Sequence, residues 1–197
     1  CSSDLALTMD LVARKARLSR ALLYVYFNDK SALLLALCVR TLDALQQRFA
    51  DAAAQHGTGA AQVEACGRAY VAFAAEFPAG FEALAYFEAH QPADEPDSSY
   101  DGFMVAGDRC HQAIVAAIEQ GLRDGTIRAD VGVPKLVALT LWGLMHGLIQ
   151  ISVTKSGSLA REGVDGAQLI EQGFKLAMAA LVTPVGFEAV AADGGAR

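Results

Sequence analysis

A chain of 197 residues with 53% hydrophobic side chains and five prolines is long enough to bury a sizeable core, and this composition excludes an intrinsically disordered protein. The net charge of −6 excludes a protein that binds a polyanion with its whole surface, so any nucleic-acid binding has to be confined to a basic segment. The four cysteines lack the C-x-x-C spacing of zinc or thioredoxin-like sites, which excludes those two classes and indicates buried thiols in a reducing cytoplasm.

The segment from Thr8 to Lys30 predicts two short helices joined by a tight turn. Thr8 can cap the first helix, and Asp10 in its first turn suits the positive end of the helix dipole. Ser19 can cap the second helix. The spacing of its apolar residues predicts a buried stripe formed by Leu22, Leu23, Tyr26 and Phe27. The face left outside carries Arg20, Ala21, Tyr24 and Val25, a set that is able to enter a major groove.

Charge supports a DNA-binding segment at this end of the chain. Residues 1–48 contain seven basic and four acidic side chains, a net charge of +3, whereas the rest of the chain carries −9. An acidic protein with a cationic end can bind a polyanion through that end alone. The basic residues are Arg14, Lys15, Arg17, Arg20, Lys30, Arg40 and Arg48.

The same segment resembles the DNA-binding signature of the TetR family of bacterial transcriptional repressors. The residues that match that pattern without an insertion are Ala13, Ala16, Leu18, Ser19, Leu23, Tyr24, Tyr26, Phe27 and Lys30. The chain departs from it at Arg17 and Ala21, where glycine is usual, and at Leu22, where threonine is common. Arg17 therefore has to adopt a backbone conformation that glycine reaches more easily.

The resemblance implies a repressor that binds double-stranded DNA through its second short helix. Arg20 and Tyr24 are the residues expected to reach phosphates or bases, and Lys30 combines its charge with a helix N-terminus to hold a phosphate. Thr8 can add a hydroxyl or a backbone N–H. The DNA-binding residues expected are Thr8, Ser19, Arg20, Ala21, Tyr24 and Lys30. Family members carry a further helix before this motif, and we expect it to be missing or truncated here.

Periodic apolar residues predict a long helix after the motif and a helical body beyond it. The predicted helices lie at residues 30–56, 60–77, 81–90, 99–123, 134–154 and 165–181. The acidic, proline-containing segment 91–101 is predicted to be a solvated loop or the frayed start of the next helix, with a lid over a pocket as an alternative. The end of the chain after Pro184 is predicted to fray.

The helix at residues 134–154 is apolar on nearly all sides. A membrane span is disfavoured because the helix carries His146 and Gln150 and lacks a flanking basic cluster. A helix with one side in the core and the other against a second subunit explains the pattern better. By resemblance to the TetR family, this helix and the last one form a four-helix interface in a homodimer. The interface residues expected are Ala138, Gly143, Gly147, Gln150, Leu169, Gly173, Phe174, Ala177 and Met178.

In TetR-like proteins the larger domain binds a small-molecule effector, and the aromatic content of the middle helices favours an apolar or aromatic one. The candidate pocket residues are Tyr70, Phe73, Tyr86, Phe87, Phe103, Trp142, Met145 and His146. We identify no catalytic residues, no metal site and no cofactor, since the sequence shows no nucleophile–base pair and the four histidines lack metal-ligand spacing. The alternatives considered are a helical interaction or scaffolding module without DNA binding, a redox sensor and an enzyme.

These observations predict an all-α protein in which a helix-turn-helix DNA-binding domain is joined to a larger effector-binding and dimerisation domain. The expected domains are residues 1–30, the DNA-binding domain, residues 31–184, the helical body, and residues 185–197, a tail. The expected protein is a cytoplasmic, dimeric repressor that binds a palindromic operator and releases it when a small molecule binds.

Overall fold

A computed structural model describes residues 8–89, 98–184 and 188. Within these residues the chain forms nine helices, and its β-structure is a single isolated bridge between Ile127 and Val182. The predicted all-helical class is therefore confirmed. The helices are α1 Met9–Ala16, α2 Arg20–Tyr26, α3 Lys30–Ala53, α4 Gly59–Glu76, α5 Pro78–Ala89, α6 Ser98–Asp124, α7 Pro134–Thr154, α8 Ser156–Arg161 and α9 Gly166–Leu181.

Most predicted boundaries agree with the structure, and the exceptions have local causes. Helix α7 has the predicted bounds because Pro134 occupies its first turn. Pro78 likewise begins α5, although the sequence pattern was interpreted as ending a helix there. The short helix α8 was not predicted. Residues 90–97 and the chain after Pro184, except Glu188, lie outside the described residues, whereas residues 98–101 begin α6.

Helices α3, α4 and α6 pack against one another and form the centre of the body. Their buried residues, with those of α5 and α7, make one large apolar cluster in which Cys38, Cys66 and Phe73 are almost fully inaccessible to solvent. A second cluster joins the ends of α4 and α6 to α7 and α9, with Ile118 at its centre. The long helix α3 therefore lies in the same core that holds the body helices together.

The N-terminus of α4 is fixed by residues that lie far away in sequence. The Asp124 carboxylate accepts a hydrogen bond from the Gly59 N–H at 2.8 Å, and the Thr126 hydroxyl oxygen accepts one from the Ala60 N–H at 3.2 Å. Gly59 lies so close to Gly121 that a methyl group on Gly59 would clash with the Gly121 backbone. The start of α4 is thus capped by the end of α6 and the turn that follows it.

Replacing Asp124 should destabilise the protein in a pH-dependent way. Burial opposes ionisation of this carboxyl, but hydrogen bonds from Thr126, Gly59 and Gln120 outweigh it and lower its pKa below the ordinary 3.8. A lowered folded-state pKa means that the stabilisation is complete above about pH 4 and is lost as the pH falls through the folded value. We expect Asp124→Ala to lower the free energy of unfolding by about 1 kcal/mol at neutral pH.

Urea unfolding at neutral pH and near pH 3 measures this effect, with Asp124→Asn as the matched variant that keeps the shape and loses the charge. The difference in free energy of unfolding between the native protein and Asp124→Asn should become smaller as the pH falls. A difference that stays constant over this range would show that the charge of Asp124 does not stabilise α4.

Candidate DNA-binding surface and effector cavity

The helix-turn-helix is held together by a small apolar core. Met9 and Ala13 of α1 pack with Leu23 of α2, and partly buried Phe27 and Leu33 close the cluster. Leu33 belongs to α3, so the core of the N-terminal head continues into the helix that runs through the body. The apolar core of the head therefore includes one side chain of α3.

The predicted buried stripe of α2 is wider than the observed one. Leu23 is buried and Phe27 is half-buried, as expected, but Leu22 is 41% exposed and Tyr26 is 72% exposed. The prediction for Leu22 and Tyr26 was wrong because α1 and α3 cover only the Leu23 side of this two-turn helix among the described residues. The spacing of apolar residues gave the direction of the stripe but not its width.

The turn between α1 and α2 depends on a left-handed residue. Arg17 has φ 56° and ψ 37° and is the one described non-glycine residue with a positive φ. Its N–H donates to the Arg14 carbonyl at 3.2 Å, and the Leu18 N–H donates to the Ala13 carbonyl at 2.9 Å. This is the Schellman arrangement that usually ends a helix with glycine. The backbone requirement that the sequence predicted at Arg17 is thus present.

Replacing Arg17 with glycine should stabilise the head. A side chain in the left-handed region costs about 1 kcal/mol relative to glycine, and Arg17→Gly removes that cost. Arg17→Ala is the matched control because it loses the same charge and keeps the strained Cβ. Native-state hydrogen exchange of the α1 and α2 amides measures the opening free energy, which we expect to be about 1 kcal/mol higher in Arg17→Gly than in Arg17→Ala. Equal protection in the two variants would contradict a strained turn.

Arg20 and Tyr24 lie together on the outward face of α2. The Arg20 guanidinium stacks over the Tyr24 ring at 5.5 Å from its centroid, and Tyr24 is 41% exposed. Arg20 also pairs with Asp10 of α1, with Nε at 3.2 Å from one carboxylate oxygen and a terminal nitrogen at 3.4 Å from the other. The interaction with Tyr24 and then the charge of Asp10 raise the pKa of Arg20. Arg20 is accordingly held in place but remains accessible to solvent.

The other expected DNA-binding residues lie at helix starts. The Thr8 and Ser19 hydroxyl oxygens accept hydrogen bonds from the N–H groups of Leu11 and Leu22 at 3.2 and 3.1 Å, so both residues cap their helices as predicted. Their hydroxyl hydrogens are still able to donate outward. Ala21 is exposed beside Arg20, and half-buried Lys30 is the first residue of α3. These positions suit contacts to phosphate, which favours helix N-termini.

A cavity of about 280 Å³ lies among the body helices. Its wall is mostly apolar and is formed by five helices, α3 to α7. Leu42, Leu45 and Phe49 of α3 form part of it, which places the cavity against the helix that reaches the head. The other lining residues are Val63, Cys66, Gly67, Tyr70, Leu84, Phe103, Met104, Gly107, Asp108, Cys110, His111, Ile114, Leu141, Trp142 and Met145.

Four of the eight candidate pocket residues line this cavity, namely Tyr70, Phe103, Trp142 and Met145. The structure places the other four elsewhere. Phe73 and Phe87 are buried in the apolar core. Tyr86 lines a second cavity of about 500 Å³ formed by α4, α5, α7 and α9. His146 stacks on Phe81 at 5.0 Å between ring centroids and lies beside the cavity through its contact with Trp142.

Two histidines near the cavity favour their neutral forms. The Tyr70 hydroxyl and the His146 Nδ1 atom lie 2.8 Å apart, and burial lowers the pKa of His146. Burial also lowers the pKa of His111, whose ring meets Trp142 edge to face; the charge of Asp108 opposes that shift and the charge of Lys135 adds to it. His111 was missing from the predicted pocket because a lone histidine in an amphipathic helix gives no sign of the side it faces.

The cysteines of the body do not have the properties of reactive thiols. Cys38, Cys66 and Cys110 are buried, and the thiols of Cys66 and Cys110 donate to the Phe49 and Leu42 carbonyls. Burial raises the pKa of both of these thiols to about 12, which suppresses the thiolate needed for redox sensing. Cys1 lies outside the described residues.

The predicted dimer residues fall on two different sides of α7 and α9. Ala138, Phe174 and Met178 are buried in the core of the single chain, and Gly173 packs against Leu148, so these four do not face outward. Helix spacing predicted the apolar faces of α7 and α9 but did not show which face covers the body. Gly143, Gly147, Gln150, Leu169 and Ala177 are half-buried or exposed.

An outer surface of α7 and α9 carries large apolar residues that the single chain leaves exposed. We call this outer surface the α7–α9 face. Gly143 and Gly147 have open space where a side chain would extend. Its members are Leu136, Thr140, Gly143, Leu144, Gly147 and Ile151 of α7 and Leu169, Gln172, Leu176 and Ala180 of α9.

In the part of the chain that the structure describes, one helix by itself, α7, is long and apolar enough to cross a membrane, and 17% of its most apolar segment is buried in the single chain. Length and composition are weak evidence of a span, because helices of soluble proteins meet the same criterion. The described residues contain no group of three or more potential metal ligands among His, Cys, Asp and Glu. His90 lies outside them.

Two family models match the chain. The model described as bacterial regulatory proteins, tetR family, matches residues 5–37, and the model described as tetracyclin repressor-like, C-terminal domain, matches residues 63–176. These ranges contain the helix-turn-helix and most of the body, respectively. No curated protein matches the sequence.

Solved structures share the fold over most of the chain. A protein of unknown function from Rhodococcus sp. RHA1 aligns with TM-score 0.71 and 20% identity, covering 92% of this chain and 87% of that one. A TetR family transcription regulator from Marinobacter aquaeolei VT8 aligns with TM-score 0.65 and 24% identity, covering 90% and 85%. A TetR family member from Streptomyces coelicolor A3 aligns with TM-score 0.60 and 18% identity, covering 90% and 83%.

The body model alone covers more than half of the chain, and the helix-turn-helix model covers the segment in which the structure places Arg20 and Tyr24 on an outward face. Regulators of this family are not enzymes. The chain belongs to the TetR family and is a DNA-binding transcriptional regulator.

Proposed function

We propose that the protein is a ligand-responsive repressor that binds a palindromic operator as a homodimer in the cytoplasm and releases it when a small apolar or aromatic effector occupies the 280 Å³ cavity. The observation that carries this proposal is the outward face of α2, on which Arg20 and Tyr24 lie together. A helix-turn-helix inserts this kind of face into the major groove.

The proposed DNA contacts divide into two kinds. Arg20 and Tyr24 on α2 are placed to contact base edges or phosphates, with Ala21 allowing close approach of the helix. Thr8, Ser19 and Lys30 are at helix starts and are proposed to hold phosphates through hydroxyl or ammonium groups. Asp10 has to exchange its contact with Arg20 for solvent when DNA binds, because phosphate competes for the same guanidinium.

A homodimer explains the exposed α7–α9 face. A twofold axis through this face buries Leu136, Leu144 and Leu176 of each chain and lets the partner's helices approach at Gly143 and Gly147. Two heads related by that axis read two half-sites about 34 Å apart or a multiple of it.

The proposed effector acts through α3. The cavity wall includes Leu42, Leu45 and Phe49, and the same helix begins at Lys30 and packs against the head at Leu33. An effector that enlarges the cavity therefore displaces a helix fixed in both domains. Reversing a 99:1 preference for the DNA-binding state requires about 10⁴-fold tighter binding to the released state.

Selection of operators from a random duplex library, followed by titration at several salt concentrations, tests the proposal. We expect a palindromic site and a log–log salt slope of about −3.6 or steeper, since Arg20 and Lys30 of two chains neutralise at least four phosphates. A flat salt dependence, or no enriched sequence, would contradict operator binding by this surface.

A further inference from the structure

The cavity has an aromatic wall and one carboxylate. Phe49, Tyr70, Phe103 and Trp142 all contribute to the lining, together with aliphatic side chains. Among the described lining residues, Asp108 of α6 is the one acidic side chain, none is a lysine or an arginine, and Asp108 is exposed. The apolar space therefore lies beside a single, solvated negative charge.

This combination discriminates between ligands by their charge. The faces of aromatic rings attract cations, and a carboxylate at the same site adds a direct ion pair. A neutral apolar molecule gains from burial but makes no use of Asp108, and an anion is repelled by it. The carboxylate and the aromatic lining thus both favour a cationic ligand.

The neighbouring groups do not cancel this preference. Burial lowers the pKa of His111, so its imidazole is neutral near pH 7.5 and adds no positive charge to the lining. Lys135 of α7 acts on His111 through its charge but does not line the cavity. The chain beyond residue 48 carries a net charge of −9, which concentrates cations around the body.

We propose that the effector is a small hydrophobic monocation, a protonated alkyl or arylalkyl amine, whose apolar part fills the cavity and whose nitrogen pairs with Asp108. This inference rests on the proposed function of the cavity as the effector site. A volume of about 280 Å³ is at the lower end for ligand cavities, which restricts the ligand to one ring or a short chain.

Three probes of similar size and different charge test the inference: 4-tert-butylbenzylamine, 4-tert-butylbenzyl alcohol and 4-tert-butylbenzoate. Trp142 is the single tryptophan of the chain and lines the cavity, so its fluorescence reports binding without a label. The amine should bind at least about 10-fold more tightly than the alcohol, and the carboxylate should bind most weakly. Asp108→Asn should abolish most of the preference for the amine and leave alcohol binding unchanged. Asp101→Asn is the same change elsewhere on α6 and should preserve the preference for the amine.

The outcomes separate the ligand class from the cavity itself. Gly107 lines the cavity, and no heavy atom lies within 4 Å of the place where a Cβ would be, so we expect Gly107→Phe to occupy part of the cavity and to block all three probes. If the native protein binds the three probes with equal affinity and Gly107→Phe blocks them all, the amine class is overturned and the cavity remains a ligand site. Amine binding in the expected order without release of a selected operator would support the amine class and overturn the effector role. If none of the three probes binds, both the amine class and the effector role of the cavity are overturned.

Discussion

Replacing Leu176 with glutamate should convert the protein to a monomer and abolish tight operator binding. Leu176 is 62% exposed on the α7–α9 face, and a twofold axis brings two copies of the substituted residue into one interface. Burying unpaired carboxylates there is costly, and the two like charges also repel each other. Since avidity from two joined heads contributes roughly 10²-fold or more, operator affinity should fall by at least that factor.

Light scattering at micromolar concentration measures the oligomeric state, and fluorescence anisotropy with a selected operator measures affinity. Val105→Glu is the matched control because Val105 is 57% exposed on α6 and is not part of the α7–α9 face, so it should leave both quantities unchanged. A Leu176→Glu protein that stays dimeric would show that this face is not the dimer interface. A monomer with native operator affinity would show that dimerisation is not needed for binding.

Arg20→Ala should lower operator affinity by roughly 30-fold or more, because each of two heads loses a contact to phosphate or base. Asp10→Asn should have the opposite effect and raise affinity several-fold, since the carboxylate holds the Arg20 guanidinium in the free protein. The gain should disappear when Arg20 is also alanine. Anisotropy titrations of the native protein, the two single variants and the double variant form a double-mutant cycle, which measures the coupling between Asp10 and Arg20.

Asp10 also carries a negative charge near DNA, and the cycle distinguishes this general effect from the specific pair. A general effect of charge raises affinity equally with and without Arg20, whereas the pair acts only when Arg20 is present. Equal gains in both backgrounds would therefore contradict the competition between Asp10 and DNA phosphate for Arg20. An Arg20→Ala protein with native affinity would remove Arg20 from the DNA-binding surface.

The local features of the head were predictable because they depend on neighbouring residues. The Thr8 and Ser19 hydroxyls accept hydrogen bonds from N–H groups three residues further along the chain, and the glycine that is usual at the position of Arg17 predicted a backbone conformation that favours glycine. The same reasoning located α7 through Pro134. It could not show that Leu22 and Tyr26 are exposed, since their burial depends on how α1 and α3 pack over α2.

The cavity depends on contacts between distant segments, and only part of it was predictable. Aromatic residues on the middle helices indicated Tyr70, Phe103 and Trp142 because large rings concentrate where helices pack. Asp108 and His111 gave no comparable signal, since polar residues on a helix usually face solvent. Phe174 and Met178 were assigned to the dimer surface although they fill the core of the single chain, because helix spacing does not show which apolar face of α9 covers the body.

The contact between Gly59 and Gly121 determines how the body can deform. The two backbones touch, and Asp124 and Thr126 hold the start of α4 in place, so this end of the α4–α6 pair has little freedom to separate. The cavity lies farther along both helices, at Tyr70 and Phe103. A bound molecule would therefore rotate α4 and α6 apart about a hinge at the two glycines, and the side chains farthest from that hinge would move the greatest distance.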